Sequence, residues 1–536
     1  MNNKDIMANC ILMTALVALV LCVFVPRAFG IFFPQDEFGY WNNAAGMVGI
    51  DWSDVAAGQD RYAIGYSILL LPLIKLPLDP ILRYRIALVI NGVLAVIYAG
   101  VFSTLVGRLY PKMNWKERLA ISMPCICYPC CLLYLHYSTA EVFLNVLFVI
   151  LCCFMTDSAK RNLSATYEFT GLICAVALFL THYRMIGVVA AFIIIRSVIW
   201  IRNKGLQGRL LLTVTAALTG IVLTAGIILC IYLGFFSVKA LFDTKTILRI
   251  AVGIFGKIYY IAVVSFGLGL AGLISVAGMI RCRFNMFILS AVGITVFIST
   301  YFFRDDNRLD QLVYGRYIEM FIPVLMAIGI NRVIILKDKL NVKWMLAIGA
   351  IAIMLTVYAH MEGLTEYLPN YVSGIDWMFG DSLPTTTSIF FVPFVVAMSG
   401  YLLIEVVIKR NITIWAAAVS ISMIFLFCSF FLTEKHIYRY QDLDRSDYEL
   451  EQRMEELCMK KGEESIMFLN SPYMNYINLI QFWMYDKKIE LITEDEFDRL
   501  NIPIVLTYSN YDRPDKLMEY TNREDSVHFF LYYNNQ

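Results

Sequence analysis

Phe33-Pro34-Gln35-Asp36-Glu37-Phe38-Gly39-Tyr40-Trp41 sets two adjacent carboxylates just past the first long apolar run of the chain, residues 6–25. That run is long enough to cross a bilayer. The pair therefore stands at a membrane border, where charge is costly unless it is solvated or used. Phe38, Trp41, Ala45 and Val48 recur at helical spacing and predict an amphipathic helix near 37–48, lying on the membrane surface. Asp36 has a simple structural reading as the N-cap of that helix, with Glu37 favoured by the helix dipole.

Working outward, the whole chain reads as membrane. Of its 536 residues, 59% are hydrophobic and only 16% charged, with a mean hydropathy of +0.64; a soluble domain carries about a quarter charged residues. The net charge of +1 gives no electrostatic footprint for nucleic acid. Apolar runs predict about thirteen spans: 6–25, 84–107, 119–135, 142–157, 168–181, 185–201, 210–234, 256–280, 284–303, 314–331, 344–360, 386–408 and 412–432. The first could be a cleaved signal peptide ending at Ala28-Phe29-Gly30, but Arg27 and a single n-region Lys4 favour retention.

Basic residues fix the expected orientation. With the N-terminus in the cytoplasm, the cytoplasmic side holds 18, among them Lys4, Arg108, Lys112, Lys116, Arg118, Arg202, Arg209, Arg281, Arg332, Lys343 and Lys409. The much longer opposite loops hold fewer, as the positive-inside rule requires. Residues 62–78 are apolar but broken by Gly65, Pro72, Lys75 and Pro77, and counting them as a span would invert everything downstream. They read as a surface or re-entrant segment, so the whole loop 26–83 lies on the outer membrane face.

The fold class that follows is an α-helical polytopic membrane protein with a small C-terminal α/β domain, divided as 1–433 and 434–536. In the tail, residues 443–461 predict a helix ending at Gly462. Beyond it, strand-like runs at Ile466–Leu469, Ile489–Thr493, Ile502–Thr507 and Val527–Tyr533 alternate with helical ones at 473–485, 494–500 and 513–520. No glycine-rich phosphate loop is present there. The 13 cysteines mostly sit in apolar runs, where Cys behaves as a small hydrophobe. Cys125, Cys127, Cys130 and Cys131 lack a second ligand cluster that would make them a metal site.

The polar residues at the expected outer face are the candidates for chemistry. They are Asp36, Glu37, Asp51, Asp54, Asp60, Arg61, Arg83, Arg85, His136, Glu141, His182, Arg184 and a last group from Arg304 to Glu319 containing Asp305, Asp306, Asp310, Arg316 and Tyr317. Glu141 opens a span and could answer to the helix dipole alone. Arg184 sits in a tight turn, where snorkelling is the plain reading. Arg316 pairs either with Asp305, Asp306 or Asp310 of its own loop, or with a phosphate, which guanidinium grips in a bidentate way.

At these residues the sequence resembles the integral-membrane C-type (GT-C) glycosyltransferases, among them protein O-mannosyltransferases, the lipid A aminoarabinose transferase and oligosaccharyltransferases. Asp36-Glu37 matches their acidic pair in the first outer loop. Gly65-Tyr66-Ser67-Ile68-Leu69 looks like their Gly-Tyr-Pro-x-Leu run with serine for proline. Ser138-x-x-Glu141 looks like a Ser-x-x-x-Glu motif one residue tighter, and Gly315-Arg316-Tyr317 with Pro323 looks like the Gly-Arg-Tyr…Pro run of bacterial members. The likeness covers about residues 30–435.

The resemblance implies transfer of a sugar from a polyprenyl-phosphate donor to a glycan, lipid or protein acceptor at the outer face of the cell membrane. Asp36 is then the general base, and Glu37 orients the acceptor or holds a divalent cation, Mg or Mn. Arg184 and Arg316, backed by Arg83 and Arg85, bind the donor phosphate; Glu141 and Tyr317 support them. The rival readings are a transporter or flippase of lipid-linked sugars, which would carry repeats and midplane charges, and a noncatalytic envelope-assembly scaffold. No repeat is evident, and the span centres are almost free of charge.

Overall fold

The computed structural model describes the chain apart from residues 1–2, 33, 57–61, 157–164, 203–212, 214–242, 304–306, 338–341, 368–371, 381, 410–412, 464, 470–475, 498, 500–501, 509–516, 518 and 535–536. The expected span 210–234, Thr213 apart, lies outside the described residues, as do Asp60, Arg61, Arg304, Asp305, Asp306 and most of the expected 513–520 helix.

Among the described residues, seven helices are long and apolar enough to cross a membrane: Lys4–Arg27, Pro80–Leu109, Thr244–Val263, Arg283–Phe302, Lys343–Met361, Ser388–Val406 and Ile414–Tyr438. The protein is a multi-pass membrane protein. An eighth span is made only if two bent pieces are joined, Trp115–Ile126 and Pro129–His136, which meet at 65°. The sequence read this stretch as one span, 119–135. Pro129 drives the preceding Tyr128 out of helical geometry, to φ −54° and ψ 131°, and breaks it. Glu141–Thr156, Thr166–Thr181 and Leu268–Gly278 are shorter apolar helices.

The loop between the first and second long helices carries the surface elements expected of it. Helix α1 spans Lys4–Val23, α2 Pro34–Met47, α3 Ile64–Lys75 and α4 Pro80–Leu109. Proline occupies the first position of both α2 and α4, where its missing N–H leaves no helical bond unmade. The Asp79 side chain caps α4 by accepting from the Leu82 N–H at 3.0 Å. Because α2 begins at Pro34, Asp36 lies inside its first turn. The N-cap reading is thereby corrected.

Charged residues occur along the spans, and those that follow each meet a local polar or charged partner. Lys257, fully buried on the Thr244–Val263 helix, donates to the Gln311 carbonyl at 2.7 Å. Arg196 pairs with Glu168, and Arg118 lies 3.9 Å from Asp5. The expected boundary at 434 falls on a π-helical turn, Glu434–Tyr438, which runs on into helix Arg439–Lys461 without a linker. That helix stops at Gly462, whose φ of 70° is the left-handed C-cap that glycine accepts.

The small C-terminal sheet has strands β1 Ser465–Leu469, β2 Lys488–Ile492, β3 Ile504–Tyr508, β4 Asn522–Asp525 and β5 Phe529–Tyr533, in the order β2-β1-β3-β5-β4. β1 runs parallel to β2 and β3, while β5 pairs antiparallel with β3 and β4. The domain docks on the first loop through helix Ile477–Trp483. Phe482 meets the Trp41 ring edge-on at 5.0 Å, and the Trp483 indole donates to the Phe29 carbonyl at 2.8 Å. The Trp52 indole donates to the Tyr485 carbonyl at 3.1 Å. The tail is thus a wall of the region that holds Asp36.

Candidate active site

Successive helix residues point about 100° apart, so two adjacent acids cannot serve one partner. Glu37 faces inward and is fully buried. Its Oε2 accepts from the Ser138 N–H at 2.6 Å, from the Ser138 hydroxyl and from the Tyr84 hydroxyl at 2.9 Å, while Oε1 accepts from the Phe32 N–H at 2.7 Å. The Trp41 indole donates to the same Ser138 hydroxyl at 2.8 Å. These bonds tie α2 to α4 and to the approach to Glu141.

Asp36 faces elsewhere. One carboxylate oxygen accepts from Arg316 Nη1 and the other from the Tyr62 hydroxyl. Arg316 reaches on to Glu141, with Nε 2.6 Å from Oε1, and Arg184 Nη2 donates to the same oxygen at 3.2 Å. The Arg184 guanidinium lies 5.4 Å from the centre of the Tyr317 ring. Two carboxylates and two guanidiniums, from four distant parts of the chain, form one chain of charge: Asp36, Arg316, Glu141, Arg184. Asp36 and Arg316 keep 15% and 11% of their side chains exposed, whereas Glu141 keeps 3%.

Two buried donors at this chain, the Tyr40 hydroxyl and Arg184 Nε, have no hydrogen-bond partner among the described residues, and neither has the acceptor Glu141 Oε2. Tyr40 lies one helical turn beyond Asp36. Such orphans are rare in native interiors unless a ligand or water completes them. Gly315 makes room for the arrangement, since a Cβ there would overlap the Tyr260 ring. The Tyr62 phenol stays protonated, its pKa raised by burial and by the Asp36 charge, and so remains a donor to Asp36.

The structure brings together Asp36, Glu141, Arg184, Arg316 and Tyr317, and sets Glu37 one face away. It does not bring Arg83 and Arg85 to them. Arg83 is buried, donates to the Leu73 and Leu78 carbonyls, and lies 3.5 Å from the centre of the Tyr485 ring. Arg85 donates to the Pro26 and Ala28 carbonyls. Both guanidiniums fasten loops rather than face the charged cluster. Of the acids in its own loop offered to Arg316, Asp310 is paired with Arg308, while Asp305 and Asp306 lie outside the described residues; Arg316 meets Asp36 and Glu141. A cation at Glu37 does not fit: donors already converge on both carboxylate oxygens, and no cluster of three potential ligands occurs among the described residues.

No family model matches the chain, and no curated protein does. Solved structures do. The crystal structure of ArnT from Cupriavidus metallidurans bound to undecaprenyl phosphate superposes with a TM-score of 0.55 at 13% identity, over 97% of each chain. The apo state of the same protein gives 0.53 at 14% identity, again over 97% of both. The chain shares the fold of that ArnT. The match runs through the C-terminal sheet as well as the helices, since nearly the whole of both chains is covered.

Tyr62, Tyr40 and Lys257 went unread in the sequence. Tyr62 reaches Asp36 only through the path of the intervening loop, and Lys257 is satisfied by backbone carbonyls, which carry no sequence signal. Ser138 was visible as the start of Ser138-x-x-Glu141, although its bond to Glu37 was not.

Proposed function

We propose that this protein is a membrane glycosyltransferase that moves a sugar from a polyprenyl-phosphate donor to an acceptor hydroxyl, with Asp36 as general base and inversion at the anomeric carbon. The observation that carries this reading is the Asp36–Arg316–Glu141–Arg184 chain with its two orphaned donors, set in a fold shared with a protein crystallised with undecaprenyl phosphate.

Arg316 holds two carboxylates where a phosphate's oxygens would sit, and guanidinium suits either. The lipid phosphate displaces Asp36 from Arg316 and is completed by Arg184 Nε and the Tyr40 hydroxyl, while Glu141 keeps both guanidiniums aligned. Asp36, released but still held by Tyr62, takes the proton of the acceptor hydroxyl as its oxygen bonds to the anomeric carbon. The bond from that carbon to the phosphate oxygen breaks through an oxocarbenium-like state, and the polyprenyl phosphate leaves against Arg316 and Arg184. No step runs through a metal ion, and Glu37 serves as the fastening of α2.

In the same reading, the body (1–433) and the tail domain (434–536) present this site on the outer face of the cell membrane, with the N-terminus cytoplasmic. Purified protein incubated with a panel of polyprenyl-phosphate sugars and candidate glycan, lipid and protein acceptors releases polyprenyl phosphate and a glycosylated product. Lipid-linked sugar crossing a proteoliposome membrane, with no turnover of any donor, would favour a flippase instead. An impermeant thiol reagent applied to intact cells labels Gly46→Cys but not Asn114→Cys; labelling of both overturns the orientation.

A further inference from the structure

Along α2 from Asp36, the second half of that helix and the turn after it line an open cavity of about 630 Å³. That volume suits a small organic ligand. Its polar lining comes from Asn42, Asn43, Asp51 and Ser53, and its apolar lining includes Met47 and Ile64. Trp52 forms the floor, buried and stacked on Phe38 at 5.2 Å. Lys488 of the tail domain lies 3.7 Å from Asp51 and 3.4 Å from Asp54, near the cavity's edge.

We infer that this cavity is a saccharide subsite for the acceptor, placed beside the base by Tyr62; the inference rests on the transferase reading above. The Asn43 amide donates to the Tyr62 carbonyl at 2.8 Å, and the Tyr62 hydroxyl donates to Asp36. The Tyr62 ring lies against Gly39, where a Cβ would overlap it. Tyr62 therefore links Asn43, which lines the cavity, to the base. Asn43 follows Asp36 by seven residues, about 10 Å along the helix, so the cavity takes the part of the acceptor beyond the reacting unit.

The chemistry of the lining selects a sugar. Asn42 is half-buried in the lining and offers an amide that can both donate and accept toward a pair of neighbouring hydroxyls. Asp51, whose pKa the Ser53 side chain and N–H lower further, accepts from that N–H at 2.9 Å and is an anionic acceptor at neutral pH. Met47 and Ile64 offer an apolar side to the C–H face of a pyranose. An isoprenoid chain in the same place would strip water from these polar side chains without replacing their hydrogen bonds.

Full-length protein in lipid nanodiscs is tested by saturation-transfer NMR against a panel of methyl glycosides and disaccharides, with geranyl phosphate as the lipid probe. Gly46→Trp puts an indole at the cavity from a position where a Cβ meets nothing within 4 Å. The expected result is that at least one saccharide binds the wild type and Asp36→Asn alike. Its affinity falls at least tenfold in Gly46→Trp and several-fold in Asn42→Leu, with thermal midpoints unchanged. Failure of every saccharide to bind, saccharide binding untouched by Gly46→Trp, or loss of geranyl phosphate in its place overturns the subsite. Saccharide binding through this cavity without product from any donor would instead remove the transferase reading and leave the subsite standing.

Discussion

Asp36 and Glu37 are neighbours in sequence and opposites in environment. Glu37 is fully buried and accepts four hydrogen bonds from the backbone and side chains of three segments. Asp36 is partly open, with one long-range cation and one phenol as partners. A carboxylate saturated by neutral donors has nothing to exchange, and its removal strands every donor at once. A carboxylate held by a cation that a phosphate can claim is in a state that substrate can alter. The difference comes from the 100° step of the helix, which sends consecutive side chains to unrelated surroundings.

The strongest way to break that contrast is at Asp36. Asp36→Asn should lower turnover about 10²- to 10⁴-fold, the usual worth of a general base, with little change in the thermal midpoint; equal turnover would remove Asp36 as the base. Arg316→Ala should cost at least as much product formation and also destabilise the protein by about 3–5 kcal/mol, because it leaves two carboxylates without their shared cation. Thermal unfolding in detergent separates the two effects. Arg184→Ala, which loses one contact to Glu141, should raise the apparent KM for donor more than it lowers the midpoint.

Glu37→Gln reverses the pattern. Its amide would face several of the same donors, at a cost of about 1–3 kcal/mol in stability, while turnover per folded molecule stays near wild type. A metal chelator should leave turnover unchanged; a loss restored by Mg or Mn would return a cation to the site.

A smaller effect belongs to the tail. Burial and the charges of Glu455, Asp79 and Asp486 push the Glu451 carboxyl up to about 8. A raised folded pKa contributes stability that is full below the unfolded value near 4.5 and is lost as pH rises through 8. Glu451→Gln should therefore raise the midpoint at pH 9 and leave it unchanged near pH 4. An equal shift at both would show a packing effect instead of titration.

Much of this arrangement was legible in the sequence because membrane proteins keep charge scarce. Asp36, Glu141, Arg184 and Arg316 each interrupt or border an apolar run, so each asked for a reason, and the structure joins them. Arg83 and Arg85 met the same criterion and answered differently. Their partners are carbonyls of the turns before α4 and the ring of Tyr485, none of which a charge pattern can announce. Strand β4, Asn522–Asp525, escaped for a related reason: a polar edge strand carries no apolar alternation. The break at Tyr128 was readable from Pro129, but the continuous hydrophobicity around it hid the bend.

The most direct test asks whether phosphate and Asp36 compete for Arg316. Undecaprenyl phosphate is titrated onto wild type and Asp36→Asn in nanodiscs by calorimetry, alongside turnover of a lipid-linked sugar. Competition requires that Asp36→Asn bind the lipid phosphate at least as tightly as wild type, several-fold tighter at low salt, while its turnover falls 100-fold or more. Weaker binding of the lipid phosphate to Asp36→Asn, or turnover retained despite the substitution, would contradict it.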